Sequence, residues 1–327
     1  MSRLVRPLAR KLGVEVIPTW RWHAMQAERC RMLSRLRDAT PVRAGGAEVA
    51  AVVFSKDRPA QLAALLASMG ECVTPAVPVR VLYAAGDDRF ARAYAEVLEA
   101  FAPAGVEGRR ESRFRDDLPR LLAENDAPRV FFLVDDIVFT EPVDLTPLLR
   151  LDLATHVPSL RLGRNLERCY TADRPQPLPR FEPLPGCPGL LSWRWSEGLH
   201  DWGYPLSVDG NLFDAREMAV LAEIADYKAP NSFEVALQHF SACFDGRLGV
   251  CFEKSRLLNI PCNKVQDEVP NRAGTVDPVY LLERWEAGFG IDHRRFRGFG
   301  NASAHQELPL SLVPRGELGY CTARAPA

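Results

Sequence analysis

Two adjacent carboxylates, Asp135 and Asp136, stand where an apolar run gives way, in Val130-Phe131-Phe132-Leu133-Val134-Asp135-Asp136-Ile137-Val138-Phe139. Paired acids between two buried runs repel each other and lose hydration. A divalent cation removes both penalties, and aspartate oxygens are hard ligands suited to magnesium or manganese. The spacing predicts that Asp135 and Asp136 hold a metal that grips a diphosphate. The plain alternative is a pair of acids that cap a turn and face water. Polar residues end two other apolar runs: Ser55, Asp57 and Arg58 follow Val49 to Phe54, and Asp87 and Asp88 follow Val79 to Tyr83. Further on, Pro230-Asn231-Ser232-Phe233-Glu234 opens a helical pattern. Asn231 or Ser232 is the expected N-cap, which puts Glu234 in the first turn. There an acid suits the helix dipole, so capping is its ordinary role.

The elements that must carry these residues read as an alternation. Val49 to Phe54, Val79 to Tyr83, Val106 to Glu111 and Val130 to Val134 have the short apolar runs of buried strands. Between them lie amphipathic helices with Leu62, Leu65, Leu66 and Met69, then Phe90, Tyr94, Val97 and Phe101, then Leu118, Leu121 and Leu122 on their inner faces. Strand, helix, strand in this order predicts an α/β fold with a mostly parallel sheet covered on both faces. Ligands in such sheets bind beyond the carboxyl ends of the strands, where the three polar clusters fall. Neither G-x-G-x-x-G nor G-x-x-x-x-G-K-[ST] occurs, so a dinucleotide loop and a P-loop are not supported.

The flanks differ in character. Residues 1–46 show two helical patterns, Leu4/Val5/Leu8/Leu12 and Trp22/Met25/Cys30/Met32/Leu36, dense in arginine, then a linker. We expect a solvated helical arm packed on the main domain; the alternative is a basic amphipathic surface for an anionic membrane or a partner. Prolines 175, 177, 179, 183, 185 and 188 rule out long helices there. Trp193 and Trp195 alternate, which puts them on one face of a strand, as a sugar-binding platform or as core. Leu206 to Phe213 reads as a strand, Ala215 to Ile224 as a helix and Leu248 to Phe252 as a strand. Asn263, Gln266, Asn271 and Arg272 form a polar cluster that contacts phosphates or satisfies loop backbone. The 327 residues carry a net charge of −1, against broad nucleic-acid binding. No apolar run is long enough to span a bilayer, and no signal-peptide pattern opens the chain. The eight cysteines lack a C-x-x-C pair. Cys243 and Cys251 sit in apolar contexts typical of free thiols, which predicts a reduced, cytoplasmic setting and no structural zinc.

Across roughly residues 48–270 the order of elements resembles a GT-A glycosyltransferase, nearest to the large family 2 and its bacterial relatives. Val52-Val53-Phe54-Ser55-Lys56-Asp57-Arg58-Pro59 resembles that family's first strand and polar loop. Phe132-Leu133-Val134-Asp135-Asp136-Ile137 resembles its D-x-D strand end, with the acids adjacent instead of alternating. Gly210 to Met218 resembles the strand and helix before the acidic catalytic helix, and Glu234 falls where the family places an E-D pair. The resemblance implies a GT-A-like sheet with an N-terminal helical arm and an irregular Pro/Trp-rich acceptor region. The divisions are 1–46 arm and linker, 47–150 nucleotide-sugar half, 151–307 acceptor and catalytic half, and 308–327 tail.

The activity it implies is transfer of a sugar, hexosyl in type, from a nucleoside-diphosphate sugar to a hydroxyl of a glycan or glycoconjugate. Ser55, Asp57, Arg58, Asp87 and Asp135 would bind the donor. Asp136, with Asp135, would hold Mn2+ or Mg2+, and a late histidine, His305 in preference to His239 or His293, would join them. Glu234 would be the single base of an inverting displacement. The location implied is cytoplasmic, with the arm against the inner face of the membrane as an alternative. Two rivals share the fold group. A nucleotidyltransferase would need a Gly-rich loop after the first strand, and Phe54 to Pro59 has no glycine. A non-catalytic binding or scaffold protein fits the lone acid at Glu234.

Overall fold

The computed structural model describes residues 17–41, 45–265 and 272–320. The expected helical pattern at Leu4 to Leu12, the polar residues Gln266 and Asn271, and residues 321–327 lie outside these. In chain order the elements used below are α1 (Thr19–Ala39), β1 (Val49–Lys56), α2 (Pro59–Cys72), β2 (Val79–Ala84), α3 (Asp88–Phe101), β3 (Val106–Arg110), α4 (Phe114–Ala123), β4 (Arg129–Val134), β5 (Ile137–Phe139), β6 (His156–Ser159), β7 (Leu190–Arg194), β8 (Leu212–Asp214), α5 (Ala215–Ile224), α6 (Pro230–Leu237), β9 (Leu248–Phe252), β10 (Leu257–Asn259) and α7 (Pro278–Glu286).

A five-stranded sheet in the order β8-β4-β1-β2-β3 forms the centre. β4, β1, β2 and β3 are parallel, and β8 adds antiparallel to the β4 edge. Side chains alternate across the sheet with period two. Ala51, Val53, Val81, Phe131 and Leu133 face one apolar core with α2, α3 and α7. Val52, Phe54, Leu82, Val130 and Phe132 face the other with α4, α5 and α6. Both cores draw on residues from the two halves of the chain. Because the four long strands run the same way, the residues after β1, β2 and β4 share one rim. Pro59, fixed in φ and without an N–H to lose, starts α2 immediately beyond it.

A second sheet pairs β7 with β9 antiparallel and β9 with β6 parallel. Trp193, Trp195 and Trp202 are buried there and pack edge to face with one another and with Phe181. The tryptophans are therefore core and not a sugar platform. Gly249 faces Trp193 across the β7–β9 pair, and a Cβ there would meet the indole carbons at 2.3–2.6 Å.

Three expectations need correction. Of the expected strand Leu206 to Phe213 only Leu212 and Phe213 fall in a strand, which runs Leu212–Asp214; residues before it turn, with Gly210 at φ +83. Helix α6 starts two or three residues earlier than expected: Ala229 is the N-cap, Pro230 is the first residue, and Ser232 accepts the Lys228 and Ala229 N–H groups. Glu234 is thus past the first turn and does no capping. Cys243 is not a free thiol but is bonded to Cys30, which runs against the expected reduced setting. In the tail, Leu312–Pro314 pairs with Phe289–Ile291, and Tyr320 packs between Phe101 and Trp285.

The arm helix α1 does pack on the domain. Gln26 and Leu33 are buried, Arg29 donates to the His239 carbonyl, and the Cys30–Cys243 bond ties α1 to the segment after α6. Trp20, Trp22, Met25, Met32 and Leu36 on α1 are exposed to solvent. Among the described residues no helix is long and apolar enough to cross a membrane.

Gly249→Ala tests the Trp193 packing. The added methyl overlaps a buried ring that cannot retreat, so a loss of about 1–3 kcal/mol is expected in urea unfolding; wild-type stability would show that the β7–β9 pair is looser than described.

Candidate active site

The rim beyond β1 and β4 is organised by Arg58. Burial alone would lower its pKa, but Asp135 and Asp136 more than offset this and hold it above the usual range. One terminal nitrogen lies 2.9 Å from Asp135 Oδ1 and 3.3 Å from Asp136 Oδ2. Its Nε donates to Asn263 Oδ1 at 2.7 Å and its other terminal nitrogen to the Asn263 carbonyl at 2.5 Å. The guanidinium is thereby fixed on both sides.

Asp135, expected to share a metal, is instead committed inside the protein. Its Oδ2 accepts from Ser55 Oγ at 2.8 Å and from the Lys56 N–H at 3.1 Å, and its Oδ1 accepts from Arg58. Ser55 is buried too; its hydroxyl also bonds the Tyr94 hydroxyl at 2.6 Å, and Tyr94 accepts the Arg58 N–H at 3.0 Å. Ser55 therefore props Asp135 from below, with no face left for a ligand.

Asp136 is the acid that remains under-neutralised. Burial, with Asp135 and Asp209 adding to it, pushes its pKa up to about 6 against the pull of Arg58 and His305. Its backbone carbonyl accepts from Ile260 at 2.8 Å. β10 pairs antiparallel with β5, so Asn259 lies opposite Ile137 with its amide nitrogen 3.5 Å from Asp136 Oδ1. Asn259 Oδ1 is buried without a hydrogen-bond partner. The Asn259 backbone in turn holds the 304–306 loop: its N–H donates to Ala304 and its carbonyl accepts from Gln306. This brings His305 to the cluster, its Nε2 3.3 Å from Asp209 Oδ2.

Asp209 and Arg161 complete the cluster, and neither was singled out from the sequence. Gly210, in the left-handed region, lets the chain turn tightly; its N–H donates to Phe132 and its carbonyl accepts from Leu160. A Cβ there would meet Leu257 at 2.7 Å. The turn aims Asp209 at His305. Burial would raise the Asp209 pKa, but the His305 contact and Arg161 win and lower it; His305 is raised in return. Arg161 is buried, 3.0 Å from Asp201 Oδ1 and 3.7 Å from Asp209 Oδ2.

Glu234 reaches the same cluster from α6. Its Oε1 accepts the Val208 N–H at 3.0 Å, one residue before Asp209. Burial and the neighbouring Asp209 raise its pKa to about 7, opposed by Arg161. A carboxyl that takes up and gives away a proton near neutral pH is suited to general-base work.

The remaining candidates lie at the edge of this group. Asp57, at φ +51, accepts the Gly86 N–H at 2.6 Å and so ties the end of β1 to the end of β2. Asp87 is the N-cap of α3, accepting from the Arg89 and Phe90 N–H groups, which is the plain role for an acid at that place. Arg272 pairs with Asp173 and covers the Tyr170 ring, away from Arg58. His239 is exposed, and His293 is buried beside Glu71, both away from the cluster.

Among the described residues no group of three or more His, Cys, Asp or Glu side chains converges on a common metal position. Mg2+ and its analogues are often held by one or two carboxylates plus substrate phosphates, without an all-protein cage. Asp136, short of positive charge and beside the orphaned Asn259 oxygen, fits that kind of site; Asp135 does not.

No protein-family model matches this chain, and no curated protein does. Among solved structures, a mycobacterial protein aligns at 17% identity over 77% of this chain and 75% of its own, with a TM-score of 0.38. TarS of S. aureus in complex with UDP-GlcNAc aligns at 10% identity over 73% of this chain and 65% of its own, with a TM-score of 0.40. The mannosyltransferase PcManGT from Pyrobaculum calidifontis, in complex with GDP-Man and Mn2+, aligns at 14% identity over 44% of each chain, with a TM-score of 0.30. Likenesses this distant assign no activity.

The raised acids set a pH dependence. Asp136 and Glu234 have folded pKa values of about 6 and about 7, above the ordinary 3.8 and 4.5. The folded state therefore holds more protons than the unfolded one between about pH 4 and 7, and stability falls as pH rises through that window. Glu234→Gln and Asp136→Asn remove the penalty. Each is expected to raise the melting temperature by about 2–5 °C at pH 8 and to leave it unchanged at pH 4. Equal melting curves at both pH values would show that these acids are ordinary.

Proposed function

We propose that the chain transfers a sugar from a nucleoside-diphosphate sugar to a hydroxyl of a glycan or glycoconjugate acceptor, with inversion at the anomeric carbon. The observation that carries this reading is the convergence, on one sheet rim, of an under-neutralised acid and a carboxyl poised near neutrality. Asp136 and Glu234 come from opposite halves of the chain and meet through Asn259, Asp209 and Arg161.

The parts then have distinct duties. Arg58, pinned by Asp135 and Asn263, presents fixed positive charge at the rim. Asp136, beside Asn259 and within reach of His305, would hold Mn2+ or Mg2+, which when bound neutralises charge on the departing diphosphate. Asp57 and the β2 end border the space for the nucleoside. Glu234 accepts the proton of the acceptor hydroxyl as it attacks, and a single base with direct displacement inverts the configuration. The bond to Val208 N–H keeps one carboxylate oxygen fixed.

The exposed face of α1 supplies a place for the acceptor's surroundings. Trp22, Met25, Met32 and Leu36 recur at steps of three, seven and four residues and are 39–49% exposed. Arginines at 21, 29, 31, 35 and 37 outnumber Glu28 and Asp38 on this helix, while the whole chain is at −1. That charge matches an anionic bilayer, where tryptophan favours the headgroup level. Pelleting with vesicles rich in phosphatidylglycerol is expected for the wild type and not for a Trp22→Ser/Met25→Ser variant. Equal pelleting of both, or none with the wild type, removes the membrane from the reading.

The decisive experiment is a panel of nucleotide sugars with Mn2+, scored for transfer and for donor hydrolysis. Glu234→Gln is expected to lower turnover by about 100-fold or more, with thermal stabilisation by UDP or GDP retained. The wild-type kcat/KM should rise with pH through about 7 as Glu234 loses its proton. A Gln variant that turns over at the wild-type rate would refute the base. An absence of any stabilisation by UDP or GDP, with or without metal, would favour a non-catalytic binding protein.

A further inference from the structure

The opposite end of β4 carries a cavity of about 330 Å³ with a different character. From Arg129 to Asp135 the strand advances by about 20 Å at roughly 3.3 Å per residue, so this cavity is separate from the rim. It lies between the last turn of α1, the start of β4, the 151–154 loop and the start of α5. Three guanidiniums line it, Arg37, Arg129 and Arg216, with two carboxylates, Asp152 and Asp214.

Each carboxylate has a partner within the protein. Asp214 accepts from Arg216 through both oxygens, at 3.3 and 2.9 Å, and caps α5 by accepting the Arg216 and Glu217 N–H groups. Asp152 accepts the Ala154 N–H at 2.9 Å and so shapes its own loop. Arg37 pairs with Asp38 on its own helix. Arg129 differs: it lines the cavity, its Nε is buried, and among the described residues its guanidinium is in no side-chain hydrogen bond or ion pair. A guanidinium without a partner is naturally complemented by an anion that accepts from its two terminal nitrogens. Phosphate fits that fork with two parallel bonds. The cavity volume is at the lower end for small-molecule sites, enough for a phosphate bearing a sugar-sized group.

We propose that this cavity binds a phosphate-class anion, with Arg129 as its principal donor and Arg37 and Arg216 beside it. Nothing in the sugar-transfer reading requires the site, and either can fail without the other.

The test uses the full chain and inorganic phosphate, titrated in chloride buffer at constant ionic strength and followed by calorimetry and thermal shift. Saturable binding with a rise of a few degrees in melting temperature is expected, with sulfate competing. Arg129→Gln should weaken phosphate by about tenfold or more, while Glu234→Gln leaves it unchanged. Should Arg129→Gln not fold, Arg37→Gln on the partly exposed helix serves in its place, with a smaller loss of affinity expected. No saturable binding at millimolar phosphate, or undiminished binding by the variant that folds, overturns the proposal.

Discussion

The site depends on one electrostatic constraint: two neighbouring carboxylates are buried at the end of a strand, and one guanidinium serves both. A single positive charge cannot fully neutralise two acids. Arg58 lies closer to Asp135, which also receives Ser55 and the Lys56 N–H. Asp136 is left with the weaker share. The pair is thus divided into an internal strut and an acid with spare capacity. A buried ion pair of this kind is weak evidence for stability, but breaking it by removing Arg58 would leave two unpaired charges in a nearly dry place.

The second constraint is that the cluster is assembled from distant parts of the chain. β10 brings Asn259 beside Asp136, its backbone holds the His305 loop, and Gly210 turns Asp209 into the gap. α6 then places Glu234 against Val208. Each step is a backbone hydrogen bond or a tight turn, so the geometry is set by rigid pieces. The acids here, Asp135, Asp136, Asp209 and Glu234, outnumber Arg58, Arg161 and His305. Burial, with that excess of negative charge adding to it, raises the pKa values of Asp136 and Glu234.

Much of the frame was legible in the sequence because it follows simple periods. The runs at Val49, Val79, Val106 and Val130 became the four parallel strands, and the leucine spacing after Pro59 became α2. The turn at Asp135-Asp136 was also legible, as a charge break inside an apolar stretch. What escaped was pairing between residues far apart in sequence. Nothing local marks Arg161 as buried between Asp201 and Asp209; it reads as one arginine within Leu160-Arg161-Leu162. Asp209 was hidden by the same apolar neighbours that suggested a strand, and Asp209-Gly210 was the available signal of a turn. The fate of Ser55, turned inward to Asp135 and Tyr94, is likewise a matter of register, as are the three tryptophans that went into the core. The Cys30–Cys243 bond joins residues 213 apart, beyond any local pattern.

That covalent link has a geometric meaning. It fastens α1 to the segment that immediately follows the helix of Glu234, so the outward stripe of Trp22, Met25, Met32 and Leu36 holds a constant bearing relative to the rim. Whatever surface the stripe rests on, the opening of the cluster can point in only one direction with respect to it. An acceptor approaching from that surface would always meet Glu234 from the same side.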